Sequence, residues 1–302
     1  MLISGGTGFI GRRLVAALRE SRHQVTVLTR RPSAAGPAWS PDVTVFAGNP
    51  FSAETWQAAL AEKDAVVHLA GEPVGPARWT PAKKRRIRDS RVLTTQALAA
   101  AARSLSSPPQ VLVQASGVGV YGDCGERELD ERSPIGDDFL ARVAAEWEAA
   151  GRALAPLGTR VVQLRPGLVM DAHGGALPRL LLPLRLGLGG RLGSGRQWVS
   201  WIDLEDLVRL ALFALARPEL SGPVNAVSPS PVRNADLIRA LARRLHRPAL
   251  LPVPAALLRA ALGEGASILL ASQRARPRAA LAAGFTFLAP SLDRGLARWL
   301  PA

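Results

Sequence analysis

Two patterns of apolar and polar residues alternate over the first 170 positions of the chain. Short apolar runs of the kind that form buried strands stand at 1–4, 24–30, 65–71, 110–116 and 160–169. Stretches with apolar residues at helical spacing separate these runs, at 12–20, 52–62, 80–103 and 138–155. Strands that alternate with helices favour a parallel sheet covered by helices on both faces. We therefore expect an α/β fold built on a doubly wound parallel sheet.

The pattern changes after position 170. A glycine-rich stretch leads to acidic residues at 203–206, which suit the N-terminus of the helix expected at 207–215. A short strand is expected at 223–228, and from Asn234 onward the sequence is mainly helical with proline interruptions. We expect this last part to form a small, mostly helical lobe that packs on the sheet.

Composition narrows the setting of the protein. The 302-residue chain is 48% hydrophobic, which is enough for a large core. Its most apolar stretch, at 177–190, is interrupted by Arg179 and Arg185, so we expect no membrane span. Cys124 is the single cysteine and excludes an internal disulfide, while Met1 stands almost directly before a glycine motif and leaves no room for a signal peptide. A cytoplasmic protein is expected.

The net charge of +14 raises the question of a nucleic-acid partner. Almost all basic residues are arginine, since Lys63, Lys83 and Lys84 are the three lysines. One dense run, KKRRIRDSR at 83–91, stands out, and no aromatic-rich or other nucleic-acid-binding motif accompanies it. We interpret this run as a solvated or cofactor-facing helix and expect no nucleic-acid partner.

The segment GGTGFIG at 5–11 carries the first chemical signal. Gly5, Gly8 and Gly11 stand between a predicted strand and a predicted helix, where a dinucleotide site needs a tight turn and close approach to a pyrophosphate. The following helix offers free N–H groups and the positive end of its dipole to the phosphates. A plain structural turn is the alternative, but the position in the first strand–helix unit favours a Rossmann-type dinucleotide site.

The end of the second predicted strand indicates which dinucleotide. A site for NAD carries Asp or Glu there to hold the ribose diol. This chain has Thr29, Arg30 and Arg31, and guanidinium groups match phosphate oxygens that a carboxylate would repel. We therefore predict NADP(H) as the cofactor, the alternative being that arginine is simply abundant in this chain.

The chain resembles the extended short-chain dehydrogenases/reductases, and more narrowly their epimerase-like subfamily of NAD-dependent or sugar-nucleotide epimerase proteins. The resemblance lies in GGTGFIG, HLAGEPV (68–74), RWTPAKKRRIRDSRVLTTQAL (78–98) and RPGLV (165–169). It continues through four later stretches, at 138–150, 186–207, 223–241 and 251–287. Nearly the whole chain is covered, and the last stretch is similar to the C-terminal domain of that subfamily.

The resemblance implies two domains and a set of cofactor contacts. Residues 1–228 would form the NADP-binding Rossmann domain, with 171–200 contributing to the substrate side, and 229–302 the C-terminal substrate lobe. The cofactor would be surrounded by four segments: the glycine turn at 5–11, the loop that includes Leu69 to Gly71, the basic run at 83–91 and the RPG segment at 165–167. The residues expected to bind it are Gly5, Thr7, Gly8, Phe9, Ile10, Gly11, Thr29, Arg30, Arg31, Leu69, Ala70, Gly71, Arg86, Arg91, Ser116, Arg165, Pro166 and Gly167.

The catalytic pair of the superfamily is absent. Its members use Tyr-x-x-x-Lys on the helix after the YG turn, where the lysine lowers the pKa of the tyrosine. Here Phe139 and Val143 stand at those positions. Ser116 matches the substrate-binding serine, and Tyr121 is the only tyrosine of the chain, so both are the candidate catalytic residues. Packing of Tyr121 in the loop is the alternative.

Three further features keep two interpretations each. The acidic segment 123–131 is either a solvated loop or a lid, with the solvated loop favoured. Trp198 and Trp201 form either a stacking wall for a ligand or part of the core. His68 is expected to be a packed residue at a strand end, with catalysis as the alternative. Asp203, where the subfamily usually has histidine, weakens any acid–base role there, and no Cys/His cluster indicates a metal.

Two functions follow from these observations. The first is an NADP(H)-dependent oxidoreductase or epimerase that acts on a small carbonyl or sugar-type molecule, with an atypical active site. The second is a non-catalytic NADP(H)-binding sensor or regulatory protein, which the loss of the Tyr/Lys pair favours. A homodimer is possible, because proteins of the superfamily often pair through helices.

Overall fold

The computed structural model describes residues 1–35, 39, 42–75 and 77–300. Its strands are β1 Leu2–Ser4, β2 Val25–Thr29, β3 Val43–Ala47, β4 Ala65–His68, β5 Val111–Ala115, β6 Glu128–Leu129, β7 Arg160–Pro166, β8 Leu168–Asp171, β9 Gly174–Gly175, β10 Trp198–Val199, β11 Trp201–Asp203, β12 Gly222–Ala226, β13 Val232–Arg233 and β14 Arg274–Ala275. Its α-helices are α1 Phe9–Glu20, α2 Ala53–Leu60, α3 Pro81–Arg103, α4 Phe139–Arg152, α5 Leu177–Arg185, α6 Leu204–Ala216, α7 Asn234–Arg244, α8 Ala255–Leu262, α9 Ser267–Leu270, α10 Arg278–Ala282 and α11 Leu292–Trp299.

Seven strands form the central sheet in the order β12-β7-β5-β4-β1-β2-β3. Every pair in it is parallel. The strand order reverses between β1 and β4, and a parallel sheet binds its ligands in the crevice at the carboxyl ends of strands flanking such a reversal. The predicted Rossmann-type α/β fold is confirmed. The edge strand β3, a partly exposed run of five residues, VTVFA, was not predicted from the sequence.

Alternate residues of the strands enter two cores, one on each face of the sheet. On one face, Ile3, Val27, Val113 and the other strand residues that point the same way pack with α1 and α6. Leu2, Leu112 and their counterparts pack with α2 and α3 on the opposite face. Both faces are therefore dry, which explains why the strands are continuous apolar runs.

The C-terminal part of the chain shares cores with the sheet domain. Ala280 and Phe285 belong to the same core as α1 and α6. A third core joins α5, β8 and β11 to α7 and α11, with Trp201 and Trp299 in edge-to-face contact at 5.2 Å. The division at residue 228 stays a prediction, and the two parts are packed as one hydrophobic body across it.

The acidic segment 123–131 is held by the C-terminal part. The main-chain N–H of Cys124 donates to the carbonyl oxygen of Ser272, and the main-chain N–H of Ser272 donates to Asp123 Oδ1. Strand β6 pairs with β14 in parallel. The Ser272 hydroxyl donates to the carbonyl oxygen of Gly125. Asp123 and 125–128 are exposed, which agrees with the expected solvated loop, and the main-chain bonds and ion pairs of Glu128 hold that loop in place.

Candidate active site

The glycine turn has the geometry that only glycine permits. Gly5 has a φ of +75°, and a Cβ on it would lie 2.8 Å from the main-chain nitrogen of Ala70. A Cβ on Gly11 would lie 2.2 Å from the carbonyl oxygen of Gly5. Strand β1, helix α1 and the loop after β4 therefore approach each other as closely as their backbones allow. This brings Leu69 and Ala70 against the turn, and their predicted contact with the cofactor stays a prediction.

The start of α1 is open to an anion. Gly8 is the N-cap, is exposed, and gives no side-chain capping bond to the helix. The N–H groups of the first turn, from Phe9 to Gly11, therefore point towards the crevice with the positive end of the helix dipole. Arg12 fixes the approach by donating to the carbonyl oxygen of Thr7. The ring of Phe9 contacts Gly174 and Gly175 and covers the β8–β9 turn.

The end of the adjacent strand β2 carries two exposed guanidinium groups. Thr29 is buried, and its Oγ1 accepts a hydrogen bond of 3.1 Å from the main-chain N–H of Arg31. The side chains of Arg30 and Arg31 are exposed and make no ion pair with the described part of the chain. Because β2 is hydrogen-bonded to β1, this segment flanks the glycine turn. Cationic groups stand where an NAD-selective site would hold a carboxylate.

The loop from Leu69 to Glu72 is fastened to α3. The Arg91 guanidinium donates to the carbonyl oxygens of Glu72, at 3.0 Å, and of Ile87, at 2.9 Å, and lies over the ring of Trp147. Burial lowers the pKa of Arg91 to about 10. A Cβ on Gly71 would lie 3.0 Å from the Arg91 Cζ, so glycine leaves room for this cation. Arg91 thus holds the cofactor loop, and its binding of phosphate stays a prediction.

Arg86 lies one turn earlier on the same helix. Its side chain is exposed and stands 3.7 Å from the Glu72 carboxylate, which also accepts from Lys83 at 2.7 Å. The hydrogen bond from Lys83 is the largest influence that lowers the pKa of Glu72. Arg86 therefore keeps its freedom to turn towards a ligand, and its predicted phosphate contact also stays a prediction.

Ser116 belongs to a buried polar network at the carboxyl end of β5. Its hydroxyl donates to Glu148 Oε1 at 2.7 Å, and Arg165 donates to both oxygens of the same carboxylate at 2.8 Å. Burial opposes the charge of Arg165, but the bonds to Glu148 outweigh it and hold the pKa of the guanidinium above its ordinary value. The sequence did not indicate Glu148. It lies on a helix face of mixed small and polar residues, without a motif to mark it.

The RPG segment lies beside Ser116. The main-chain N–H of Ser116 donates to Leu164 at 2.6 Å, and a Cβ on Gly117 would lie 3.8 Å from the carbonyl oxygen of Pro166. Gly167 packs on the backbone of Ser200 so closely that a Cβ would lie 2.4 Å from its oxygen. The structure brings Ser116, Pro166 and Gly167 together at one edge, whereas Arg165 points into the buried network.

Tyr121 is enclosed below this edge. Its hydroxyl donates to Asn225 Oδ1 at 2.7 Å and accepts from Arg165 at 2.9 Å, and the side chain is 1% exposed. Burial raises the pKa of Tyr121 to about 12. The phenol hydroxyl thus both donates and accepts a hydrogen bond within the protein. This arrangement favours the packing role over the catalytic one.

Phe139 and Val143 stand in an apolar cluster at the start of α4. The Phe139 ring meets the ring of Trp79 edge-on at 5.4 Å, and Val143 is buried with Ile87. The Lys84 ammonium lies 4.6 Å from the centroid of the Phe139 ring. The place of the usual Tyr/Lys pair is therefore apolar, with one cation above it.

His68, Trp201 and Asp203 have structural environments. His68 is fully buried between tryptophan rings, and its Nδ1 lies 2.5 Å from Ser4 Oγ. Burial lowers its pKa to about 4. Trp201 lies in the core, and Asp203 caps α6 by accepting from the N–H groups of two residues of its first turn. These contacts favour packing for His68 and capping for Asp203.

Trp198 is partly exposed, but its ring is already engaged. The guanidinium carbons of Arg233 and Arg274 lie 4.1 and 4.6 Å from its centroid, and its Nε1 donates to Glu126. The stacking wall considered for Trp198 and Trp201 is therefore not formed. Within the described residues, no three His, Cys, Asp or Glu side chains are grouped to hold a metal ion. Among the helices described, none has the length and apolar character to span a bilayer.

A seven-stranded Rossmann sheet, a glycine turn at its switch point and a serine at the end of β5 define an extended short-chain dehydrogenase/reductase. Residues 1–227 match the NAD dependent epimerase/dehydratase family, and residues 253–298 match Domain of unknown function (DUF1731). The chain belongs to the NAD dependent epimerase/dehydratase family. The predicted resemblance is confirmed.

Similar proteins extend over almost the full length. Epimerase family protein Mb2239 of Mycobacterium bovis is 44% identical over 94% of this chain and 92% of its own length. The chloroplastic homologue of epimerase family protein SDR39U1 of Arabidopsis thaliana is 41% identical over 94% of this chain and 82% of its own. The crystal structure of human epimerase family protein SDR39U1 (isoform 2) with NADPH is 36% identical, with a TM-score of 0.85 over 99% of this chain and 98% of that one.

Proposed function

We propose that this chain binds NADP(H) and acts as an oxidoreductase or epimerase on a small carbonyl or sugar-type substrate. The observation that carries the proposal is the combination of an open helix start, at Gly8–Gly11, with two exposed guanidinium groups, Arg30 and Arg31, on the adjacent strand end. The first suits the diphosphate of a dinucleotide, and the second suits the phosphate on its adenosine ribose. The human relative's crystal structure with NADPH supports the choice of cofactor.

The residues present fit the whole length of such a cofactor. Thr7 to Gly11 would hold the diphosphate, Thr29 to Arg31 the ribose phosphate, and Leu69 to Gly71 the adjoining ribose. Ser116, Pro166 and Gly167 would face the nicotinamide end. When bound, the nicotinamide would supply or accept hydride, and the protein would contribute orientation and hydrogen bonds.

Ser116 is the proposed contact to the substrate. Because its proton is directed to the Glu148 carboxylate, its oxygen presents lone pairs towards the crevice. Such an oxygen accepts a hydrogen bond from a substrate hydroxyl, and Glu148 then stabilises the serine proton. We leave Tyr121 out of the proposed catalytic set, since its hydroxyl is buried and fully bonded.

The test of the cofactor is a binding measurement. Calorimetry with NADPH and NADH is expected to show binding of NADPH, and changing Arg30 and Arg31 to Ala is expected to weaken NADPH about tenfold or more while NADH is unaffected. Arg239→Ala, at an exposed position of α7, is the matched control. Equal loss for both coenzymes would contradict the assignment of the phosphate site.

The test of catalysis follows NADPH absorbance with a panel of carbonyl compounds and sugar nucleotides. Turnover that falls about 100-fold in Ser116→Ala, with NADPH binding intact, would support the enzyme. Ser104→Ala, an exposed serine at the end of α3, is the control.

A second candidate is a non-catalytic NADP(H)-binding sensor. It is favoured by the apolar cluster of Phe139 and Val143, which offers no proton where the superfamily keeps its acid. Tight NADPH binding without turnover on the whole panel would support this alternative.

We also propose a homodimer through the outer faces of α3 and α4. A groove between these helices has an apolar floor of Val92 and four alanines and a polar rim. It is lined by Arg88, Val92, Gln96, Ala99, Arg103, Glu146, Ala149, Ala150 and Ala153. Leu93, next to it, is 40% exposed. Light scattering is expected to give twice the 32.0 kDa chain mass, and Ala149→Glu should yield the monomer. A wild-type monomer at high concentration would contradict this assembly.

A further inference from the structure

Helix α3 begins with an unusual charge pattern. Lys83, Lys84, Arg85 and Arg86 occupy its first two turns, and no acidic residue is present in the first turn. Cations at a helix N-terminus are opposed by the helix dipole. The helix start is otherwise well formed, with Thr80 as a capping side chain and Pro81 at the first position. The basic residues therefore destabilise the helix start, so contacts outside the helix must account for them.

For Lys84 such a contact lies in the C-terminal part of the chain. Its Nζ donates to Glu264 Oε2 at 2.7 Å. Glu264 belongs to a 3-10 turn, Gly263–Ala266, between α8 and α9. The pair is partly exposed, and an exposed ion pair contributes little stability. The main effect of the ion pair is therefore to position the Lys84 ammonium, and its contribution to the stability of the fold is small.

Close packing sets the position of Glu264. Gly265 lies so near the loop before α3 that a Cβ on it would stand 2.0 Å from the carbonyl oxygen of Ala77. The Arg78 guanidinium donates to the carbonyl oxygen of Ala260 in α8. The C-terminal segment thus reaches over the start of α3 and delivers a carboxylate to Lys84.

The other neighbour of Lys84 is Phe139. This residue begins α4 and stands at the position where the superfamily has its tyrosine. Its ring presents a π face to the ammonium at 4.6 Å and has no proton to donate. An ammonium carries three N–H donors, and Glu264 takes one of them. Among the described residues, the Lys84 ammonium donates one hydrogen bond, to Glu264, so it has donors to spare above the place where the usual acid would be.

We propose that Lys84, held by Glu264, is the hydrogen-bond donor to a carbonyl or carboxylate oxygen of the substrate at the nicotinamide end of the crevice. In this role it replaces the hydroxyl that Phe139 lacks. The C-terminal segment then completes the active site by positioning this donor. The inference rests on the proposed NADP(H) binding and adds the substrate-side group to it.

Lysine labelling tests the placement, because the chain has three lysines. N-succinimidyl acetate would modify each, and peptide mass spectrometry would give each rate with and without NADP⁺. We expect bound NADP⁺ to slow Lys84 about fivefold or more, since a bound ligand buries the groups around it. Lys63 lies just before β4, at the amino ends of the parallel strands and so away from the crevice, and its labelling rate should not change.

Two variants test the contacts. Glu264→Gln should speed the labelling of Lys84 in the free protein, because it weakens the charge-assisted hydrogen bond of 2.7 Å that holds the Lys84 Nζ. Glu72→Gln is the matched control and should speed Lys83 alone. Lys84→Met should leave the NADP⁺ dissociation constant within about twofold, as a substrate-side group would.

The oxygen contact is measured with 9,10-phenanthrenequinone as a dicarbonyl probe. Lys84→Met should lower kcat/KM for its reduction by NADPH about tenfold or more, and Lys84→Arg, which keeps a charged donor, should recover most of it. The labelling decides the placement even where the quinone is not reduced. Labelling of Lys84 at the same rate with bound NADP⁺, or a tenfold loss of NADP⁺ binding in Lys84→Met, would overturn the proposal. Absence of NADP⁺ binding to the wild type would instead contradict the proposed function.

Discussion

Ser116, Glu148 and Arg165 form a chain of hydrogen bonds in which one carboxylate serves two donors. Glu148 and Arg165 are 1% and 4% exposed, so their charges are almost completely removed from water. Desolvation of two charges is expensive, and only the paired, two-bond geometry offsets it. The pair therefore fixes the position of Ser116 while adding little net stability of its own.

Replacing Glu148 tests how far the Glu148–Arg165 bonds offset the desolvation of the two charges. Glu148→Gln is expected to lower the free energy of unfolding by about 3–5 kcal/mol, because the Arg165 guanidinium is left buried and uncompensated. Urea unfolding followed by circular dichroism measures it. Glu146→Gln, two residues away, removes an exposed partner of Arg88 and should change stability by no more than about 1 kcal/mol. Equal effects of the two changes would show that the buried pair is not a special feature.

His68 predicts a dependence of stability on pH. Its folded pKa of about 4 lies below the ordinary value of 6.5. Between these values the unfolded chain binds a proton that the folded chain excludes, so the contribution of His68 is complete above pH 6.5 and is lost as the pH falls to 4. The loss amounts to about 3 kcal/mol.

Comparison with His68→Gln isolates this effect from other groups. The wild-type protein should lose more unfolding free energy than the variant between pH 7 and pH 4.5, measured by urea unfolding at each pH. Parallel pH curves for the two proteins would argue against burial of a neutral His68.

At the scale of elements, the contact between β1 and α1 depends on the absence of side chains. Gly11→Ala would place a methyl group 2.2 Å from the Gly5 carbonyl oxygen, inside backbone that cannot move without opening the turn. We expect a loss of about 3 kcal/mol or more in unfolding free energy, together with weaker NADPH binding. Thermal unfolding and calorimetry measure the two effects.

Gly158 provides the matched control for this change. It has a φ of +84°, and a Cβ on it would have no neighbour within 4 Å. Gly158→Ala should therefore cost about 1 kcal/mol from backbone conformation alone and leave cofactor binding unchanged. A similar cost at both positions would contradict the close approach of β1 and α1.

At the scale of the whole molecule, the sheet domain and the C-terminal part depend on each other. Asp206, on α6, accepts main-chain N–H bonds from Leu288 and Ala289. Burial raises the pKa of this carboxyl, and those two bonds counter the shift. Trp299 donates to Asp203 at 2.8 Å while its ring packs in the third core. The helix that follows β11 is thus completed by contacts from residues 288–299.

A chain that ends at residue 252 is expected not to fold cooperatively, because these polar groups and the apolar residues of two cores would be left without partners. Calorimetry of the truncated chain measures this. A point variant avoids complete loss of the fold: Trp299→Ala should lower stability by about 3–5 kcal/mol. A stable, cooperative truncated domain would contradict the shared cores.

The sequence predicted the fold and the cofactor turn from local patterns. The strand runs and the three glycines each report on neighbours close in the chain, and the structure places them as predicted. The edge strand β3 was missed although four of its five residues are apolar, because periodicity alone does not identify so short a run as a strand. The sequence could not distinguish the two roles of Tyr121, since a YG turn looks the same whether its phenol faces inward or outward. The structure turns it into the network of Arg165 and Asn225.

The sequence by itself determined the parallel sheet, the family, and the glycine turn where the cofactor site is proposed, because periodicity, turn glycines and the charge at a strand end act over a few residues. Only the tertiary structure decided which polar groups meet. Ser116 is hydrogen-bonded to Glu148, 32 residues away in the sequence, and Lys84 to Glu264, 180 residues away. Such pairs form where separate elements pack, and no local pattern encodes them. The chemistry of the substrate side therefore depends on packing between distant segments, whereas the dinucleotide site depends on one strand–turn–helix unit and the strand beside it.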